Sequence, residues 1–265
     1  MMKILSIITV CYNSEKTIEK CINSIINQMN SDVEYIIVDG KSTDNTINII
    51  KKYKNIKYVS EKDSGIYDAM NKGIKMSEGK YIQFMNSDDC LVEGVLKKVL
   101  PILSSSDEDV IYGNTIFKFN LENKIYGKKV IAGEDLSKLD RRSILCHQST
   151  FTKKETLQKI GYFDTQYKIA ADWDSFIKIR NNKGTFKHID NIISLFSIDG
   201  VSSTKSHLME RKKIRKNNKI YKYIDLYFIL DVVDVILMKL KQYAKMINMD
   251  VEKYRIKKGI YKEMR

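Results

Sequence analysis

The sequence predicts an α/β protein built on a parallel, doubly wound sheet, and three observations carry that prediction. Strand-like and helix-like patterns alternate over roughly the first 100 residues, which is the order that parallel βα units require. The strand candidates are short apolar runs rich in β-branched residues, as expected of strands covered on both faces. Each of them is followed by small polar or acidic residues, at the edge where open α/β sheets bind their ligands.

The elements follow in order. The run ILSIITV, Ile4 to Val10, reads as a doubly covered strand. A helix comes next, with Ile18, Cys21, Ile22, Ile25, Ile26 and Met29 at i, i+3, i+4 spacing and Ser14 as its expected cap. EYIIVD is the second strand, and STDNTINIIKKY a helix for which Asp44 serves as cap. IKYVS is the third strand. GIYDAMNKGIKM is a helix that turns Ile66, Met70 and Ile74 to the core and leaves Asp68, Asn71 and Lys72 outward. YIQFM is the fourth strand, and VEGVLKKVLPIL a helix expected to stop near Pro101. DVIYGNTIFKFN and KIYGKKVIAG suggest an antiparallel or mixed excursion. Two helices, KKETLQKIG and ADWDSFIKIRNN, and a strand-like TFKHIDNIISLF complete the main body.

With 265 residues and 43% apolar content, the chain has ample material for a core. Its four cysteines, Cys11, Cys21, Cys90 and Cys146, show no metal or redox spacing, so they read as reduced thiols of a cytoplasmic protein. No run approaches the roughly 18 uncharged apolar residues of a membrane span. Charge is unevenly placed: from Lys205 onward there are 17 Lys and Arg against 7 Asp and Glu, which is ten of the net +13. A domain boundary near Lys205 follows, separating a nearly neutral body, 1–204, from a basic tail, 205–265. The neutral body argues against nucleic acid as partner.

The strand ends supply the candidate site. Tyr12 and Asn13 follow the first, Asp39 and Asp44 the second, Asp63 and Gly65 the third, and Asn86, Asp88 and Asp89 the fourth. There is no GxGxxG after the first strand and no GxxxxGK[ST], so dinucleotide-binding Rossmann and P-loop readings are disfavoured. Acids at strand ends suit hydrogen bonds to a base or ribose, and a hard divalent cation that holds phosphates. Adjacent Asp88 and Asp89 repel one another unless a cation or several donors lie between them.

The segments SIITVCYNSEKTIEKCINSI, YIIVDGKSTDNT, SGIYDAMNKGIKMSEGKYIQFMNSDD and FDTQYKIAADWDSF resemble, in order, the signatures of family 2 glycosyltransferases, over roughly residues 3 to 200. Within that family they are most similar to bacterial enzymes of exopolysaccharide, capsule and O-antigen synthesis, of the colanic-acid type. The resemblance implies a GT-A fold with a mostly parallel central sheet, helices on both faces and a C-terminal helical extension. It implies an inverting transfer from a nucleotide-sugar donor, with UDP the default nucleotide, to a glycan or lipid-linked acceptor, with Mg²⁺ or Mn²⁺ as cofactor. Residues 1–100 would bind the nucleotide sugar and 101–204 the acceptor.

By the same resemblance Asp39 matches the acid that meets the base, with Val10 and Tyr12 packing on it and Asp63, Gly65 and Lys72 completing the donor side. Asn86, Ser87 and Asp88 occupy the DxD position, Asp88 or Asp89 ligates the metal, and Asp172 matches the catalytic base. Asn86 departs from the pattern, since it brings no charge. His147, Gln148 and Trp173 are assigned to the acceptor. Two other classes compete: a sugar-nucleotide pyrophosphorylase, which wants a glycine- and arginine-rich loop where CYNSEKT stands, and a non-catalytic sugar-nucleotide-binding or interaction module, against which the joint presence of Asp39, Asp88, Asp89 and Asp172 counts.

In the tail, Arg211, Lys212, Lys213, Arg215 and Lys216 form a basic run, and Leu226, Ile229, Leu230, Val233, Ile236, Leu237, Leu240 and Ile247 fall on one helical stripe opposite Asp231, Asp234 and Lys239. That pattern suits packing on the catalytic domain, a homodimer through the C-terminal helices, or peripheral contact with an anionic membrane at the cytoplasmic face of the inner membrane.

Overall fold

The computed structural model describes residues 3–121, 124–197, 205–220, 224–246 and 256–264. The chain divides into two compact units, residues 1–116 with 129–196, and residues 117–128 with 197–265.

The first unit is built on four parallel strands, β1 (Leu5–Cys11), β2 (Val33–Asp39), β3 (Lys57–Ser60) and β4 (Tyr81–Asn86), in the spatial order β4-β1-β2-β3. β1 and β2 are buried along their whole length, as their uninterrupted apolar runs demand. Beyond β4 the sheet turns antiparallel. The short β5 (Cys90–Leu91) pairs with β9 (Phe186–Ser197), β6 (Val110–Leu121) pairs with β8 and β9, and β8 (Thr150–Lys153) pairs with β4. Parallel pairing thus gives way to the mixed excursion that DVIYGNTIFKFN suggested, and the fold is of the GT-A type.

Side-chain alternation along the strands places helices on both faces. Leu5, Ile7, Tyr35 and Ile37 share one core cluster with residues of α1 (Ile18–Ile26) and of α4 (Val95–Ser105). Between these helices in sequence lie α2 (Thr46–Ile50) and α3 (Ile66–Met76). Ile8, on the opposite face of β1, meets α3 so closely that a Cβ on Gly73 would stand 2.5 Å from its Cγ2. Two later helices, α5 (Lys154–Lys159) and α6 (Ala171–Asn181), flank the loop that leads to the site.

Four local expectations are corrected. Ser14 does not cap α1 through its side chain: its carbonyl closes the turn that receives the N–H groups of Thr17 and Ile18, and its hydroxyl bonds Ser87 instead. On α3 the buried stripe is Tyr67, Met70 and Ile74, while Ile66, the first residue of the helix, is 40% exposed. Asn71 does not face outward either: its amide donates to the Phe163 carbonyl (2.9 Å) and accepts the Phe163 N–H (3.0 Å). Finally, α4 continues through Pro101 to Ser105. Pro101 lies on the exposed side of the helix, as does Lys97, so the carbonyl deprived of its N–H partner is left to water instead of to a core.

The second unit holds the outer part of the hairpin of β6 with β7 (Lys124–Val130), two helices, α7 (Lys205–Asn217) and α8 (Ile224–Met246), and β10 (Lys262–Glu263), which pairs antiparallel with β7. Phe119 stacks on Tyr126 and takes the edge of Tyr261. The basic run is not a uniformly solvated face. Arg211 and Arg215 both turn to Asp231 of α8, at 2.8 Å and 2.7 Å, and Arg215 and Asp231 are buried. Of the expected stripe, Ile247 lies outside the described residues, as do the side chains of Lys239 and Asp225. No helix among the described residues is long and apolar enough to cross a membrane.

The amino ends of the strands are tied by Glu34, which is buried and bonded to Lys57, the Ser6 hydroxyl and the N–H of Gly79. A Cβ on Gly79 would stand 2.5 Å from the Ser6 backbone nitrogen, and a strand backbone buried between two neighbours has no room to retreat. Gly79→Ala is expected to destabilise the protein by about 1–3 kcal/mol, read as a lowered Tm with unchanged far-UV circular dichroism at low temperature.

Candidate active site

The parallel register brings three side chains into one row at the carboxyl edge of the sheet: Cys11 lies opposite Asp39, and Asp39 opposite Ser60. Asp39 is completely buried and accepts from the Ser60 hydroxyl (2.6 Å), the Ser42 N–H (2.9 Å), the Ser42 hydroxyl and, more distantly, the Cys11 thiol (3.7 Å). A buried carboxylate requires such a set of donors. Burial first, and then the charge of Asp39, push the Cys11 thiol well above its ordinary range, so it stays neutral and able to donate.

The loops that follow the strands converge above this row. Asn13 accepts from the Thr43 N–H (2.8 Å) and its own N–H donates to Ser42 (2.8 Å), while Asp44 accepts from Thr46 and from the Glu15 N–H. A Cβ on Gly40 would stand 2.6 Å from an Asp63 oxygen and 3.5 Å from the Tyr12 ring. Tyr12, Gly40 and Asp63 therefore close on one another from three strand ends, with Tyr12 62% exposed at the surface. Asp63 also accepts the N–H of Gly65, which precedes α3 at φ 133°, a backbone conformation suited to glycine. Lys72 is engaged nearby, 2.9 Å from Glu61 and 3.7 Å from Asp68.

At the end of β4 the two adjacent acids have different environments. Asp88 is exposed, whereas Asp89 is 1% exposed and accepts a hydrogen bond of 2.7 Å from the Gln148 amide. The orientation of Gln148 follows from its other end, where Oε1 receives the Cys146 thiol (2.9 Å). Burial raises that thiol to about 12, which keeps it a donor and leaves Nε2 of Gln148 for Asp89. Asn86 Oδ1 is buried and has no protein hydrogen-bond partner.

The residue before Gln148 holds the third acid. His147 Nδ1 lies 3.2 Å from Asp172 Oδ2, and Tyr67 donates to Asp172 Oδ1 at 3.1 Å. An ionised carboxylate only accepts, so Nδ1 carries the hydrogen. The other imidazole nitrogen is buried without a partner beside a pocket walled by Phe84, Phe163 and Phe176, with room for about one water. Burial works to raise Asp172, but the hydrogen bond and charge of His147, the backbone N–H of Trp173 and the Tyr67 hydroxyl outweigh it and hold the carboxyl below its ordinary value. Burial, then the charge of Asp172, lift the Tyr67 phenol well above its own, so it remains protonated. The Asp172 side chain is 20% exposed, which leaves a face open to a reactant.

The 3₁₀ turn at 147–149 therefore ties the acid at the β4 end to the acid at the start of α6 through consecutive residues. Tyr67 was missed in the sequence. Its signal was available: it is three and seven residues from Met70 and Ile74, on the buried stripe, and a buried phenol needs a partner. Trp173 is not brought to the surface of the site. Its ring is 2% exposed and its N–H is bonded to the Leu139 carbonyl (2.8 Å). Gln148 is likewise fully buried.

The residues at the end of β4 that could hold a divalent cation are Asn86 and Asp88. Asn86 Oδ1 is an acceptor lacking a donor and Asp88 is an exposed carboxylate two residues on. Among the described residues no cluster of three or more His, Cys, Asp or Glu side chains forms a closed metal cage. A cation held by one or two protein oxygens and completed by phosphate and water is the usual arrangement for Mg²⁺.

Comparison with known proteins gives the family. Over 208 residues the chain is 29% identical to the "PGL/p-HBAD biosynthesis glycosyltransferase" of Mycobacterium bovis, covering 75% of this chain and 79% of that protein. It is 34% identical over 183 residues to the "Minor teichoic acid biosynthesis protein GgaB" of Bacillus subtilis, covering 63% of this chain and 20% of that one. The fold matches S. aureus TarS 1-349, solved in complex with UDP-GlcNAc, at a TM-score of 0.65 and 17% identity, over 95% of this chain and 77% of the other. Glycosyl transferase family 2 matches residues 6–191, well over half of the chain, and the chain belongs to that family.

Proposed function

We propose that this glycosyltransferase moves a sugar from a nucleoside diphosphate, UDP being the nucleotide, to a hydroxyl of a glycan or lipid-linked acceptor in bacterial surface polysaccharide synthesis, with inversion at the anomeric carbon. The observation that carries this reading is the Asp172 carboxylate, held by His147 and Tyr67 and joined through Gln148 to the acid at the end of β4. The names of the mycobacterial and teichoic-acid relatives, and the UDP-GlcNAc bound by TarS, support the donor and product class.

An alcohol is a poor nucleophile near neutral pH. Asp172 takes the acceptor proton as the new bond to the anomeric carbon forms, and the bond from that carbon to the diphosphate oxygen breaks with its electron pair going to the departing UDP. His147 and Tyr67 keep the carboxylate ionised and oriented, with Oδ1 and Oδ2 each retaining a lone pair for the incoming proton. Asp39, Asp63 and the exposed Tyr12 ring flank the base and ribose end of the donor, and the acceptor hydroxyl comes to the open face of Asp172. A Mg²⁺ or Mn²⁺ ion held by Asp88 with Asn86 would supply neutralisation of the charge that develops on the diphosphate. Asp89, committed to Gln148, positions this loop.

Three measurements test the reading. Asp172→Asn should lower kcat by about 10²–10⁴ while leaving UDP affinity unchanged; a parallel loss of UDP binding would show Asp172 to be part of the donor pocket instead. The rate needs ionised Asp172, so activity falls as pH drops through its pKa, which lies below the ordinary carboxylate value. Replacing His147 with Ala removes a lowering interaction and leaves the burial that raises it, so the acid limb of the kcat–pH profile should move to higher pH. A variant with reduced kcat and an unmoved acid limb assigns His147 a merely structural part. Titration calorimetry of UDP, GDP, TDP and CDP, each with and without Mn²⁺, should show metal-dependent selectivity for UDP that Asp88→Ala abolishes. Absence of nucleotide binding to the folded wild-type chain overturns the proposal.

A further inference from the structure

Helix α3 meets the chain that leads to Asp172 along a single line. Tyr67, Asn71 and Lys75 follow one another at four-residue intervals, so they lie one above another on one face of the helix. Tyr67 donates to Asp172 Oδ1 (3.1 Å), Asn71 is bonded twice to Phe163, and the Lys75 ammonium lies 5.9 Å over the Tyr162 ring. The helix itself is firmly seated, since Met70 and Ile74 are buried and Gly73 packs against Ile8 of β1. Whatever this line holds is therefore held relative to the sheet.

The middle contact is the most specific of the three. A carboxamide carries an acceptor and two donors, and Asn71 uses both kinds on one residue: it donates to the Phe163 carbonyl (2.9 Å) and accepts the Phe163 N–H (3.0 Å), as a neighbouring strand would. A backbone N–H only donates, so it fixes which end of the amide faces it. The chain reaches this clasp through two consecutive left-handed residues after α5, Gly161 at φ 81° and Tyr162 at φ 66°. Glycine takes that conformation freely, whereas for tyrosine it is strained. Strain of this kind persists where surrounding contacts over-determine it, and it gathers at functional sites. Here the Tyr162 N–H closes α5 on the Leu157 carbonyl (2.8 Å), Lys75 covers the ring, and Asn71 grips the next residue.

Phe163 joins the clasp to the site. Its ring lies 5.5 Å from the Tyr67 ring and 5.2 Å from that of Phe84, and it walls the pocket beside His147 and Asp172. We propose that Asn71 is a positioning residue for sugar transfer: it holds Phe163 against Tyr67, and thereby holds the Tyr67 hydroxyl on the Asp172 carboxylate. Its own bonds go to Phe163, so it acts on the base through that ring. The inference rests on the reading of Asp172 as the base and deepens it.

A double-mutant cycle on the full chain tests it, with Asn71→Ala, Tyr67→Phe, their combination, and Asp172→Asn alongside. Turnover is read as UDP released from UDP-GlcNAc, UDP-Glc and UDP-Gal, with water in the acceptor's place, and UDP affinity by calorimetry. Asn71→Ala is expected to lower kcat by about 10–10²-fold, the scale of a slightly displaced reacting group, with UDP affinity unchanged. Tyr67→Phe keeps the ring and removes the hydroxyl, so in that background Asn71→Ala should cost at least about threefold less in kcat than in the wild type, since residues acting as a unit are not additive. An equal loss in both backgrounds overturns the proposal, as does wild-type kcat in Asn71→Ala or a loss of UDP affinity in step with kcat. Hydrogen exchange of the wild type needs no variant to fold: the Phe163 amide should exchange at least about a hundredfold more slowly than in an unstructured peptide, and exchange at the unstructured rate also overturns the proposal. Asp172→Asn separates the two readings. If it leaves kcat intact, the assignment of the base fails and this inference with it; if it lowers kcat and Asn71→Ala does not, the positioning role of Asn71 alone is overturned.

Discussion

Burial of carboxylates at the carboxyl edge of the sheet is the constraint on which the site depends. Asp39 and Asp89 are almost wholly removed from water, and a charge so placed persists only where donors replace its hydration. For Asp39 the replacement is local, from Ser42 and from its neighbours in the strand register. For Asp89 it comes from Gln148, 59 residues away. That bond, together with the one the Gln83 amide of β4 donates to the Gln148 carbonyl (2.7 Å), holds the 147–149 turn against β4, and with it His147 beside Asp172.

The same constraint separates acids that are adjacent or similar in sequence. Asp88 and Asp89 differ in burial, so only one presents an exposed carboxylate to solvent. Asp172 is intermediate: enough of it is sheltered for His147 and Tyr67 to govern its ionisation, and enough is open for a hydroxyl to approach. A base that is always ionised near neutral pH is weak, and what it offers is orientation and a proton acceptor at short range. In the second unit buried charge is again paired, Asp231 of α8 with Arg211 and Arg215 of α7. One chain thus buries paired charge twice, once at the edge of the sheet and once between two helices.

Much of this was legible in the sequence. β-Branched runs and helical spacing disclosed the parallel half of the sheet, because burial on both faces or on one stripe leaves a periodic record in residue type. The strand-end acids were legible for the same reason, as the chain must leave the core there. The order of the motifs pointed to the family, and the near-neutral body with a basic tail was a matter of counting. What the sequence could not determine was each partner supplied from afar. Gln148 for Asp89, Tyr67 and His147 for Asp172, and Arg215 for Asp231 are pairings across 16 to 105 residues, and no local period encodes them. Continuation of α4 through Pro101 and exposure of Ile66 were likewise tertiary outcomes: whether a proline or an isoleucine is tolerated where it lies depends on which side of the helix the rest of the fold covers, and local propensity is silent on that.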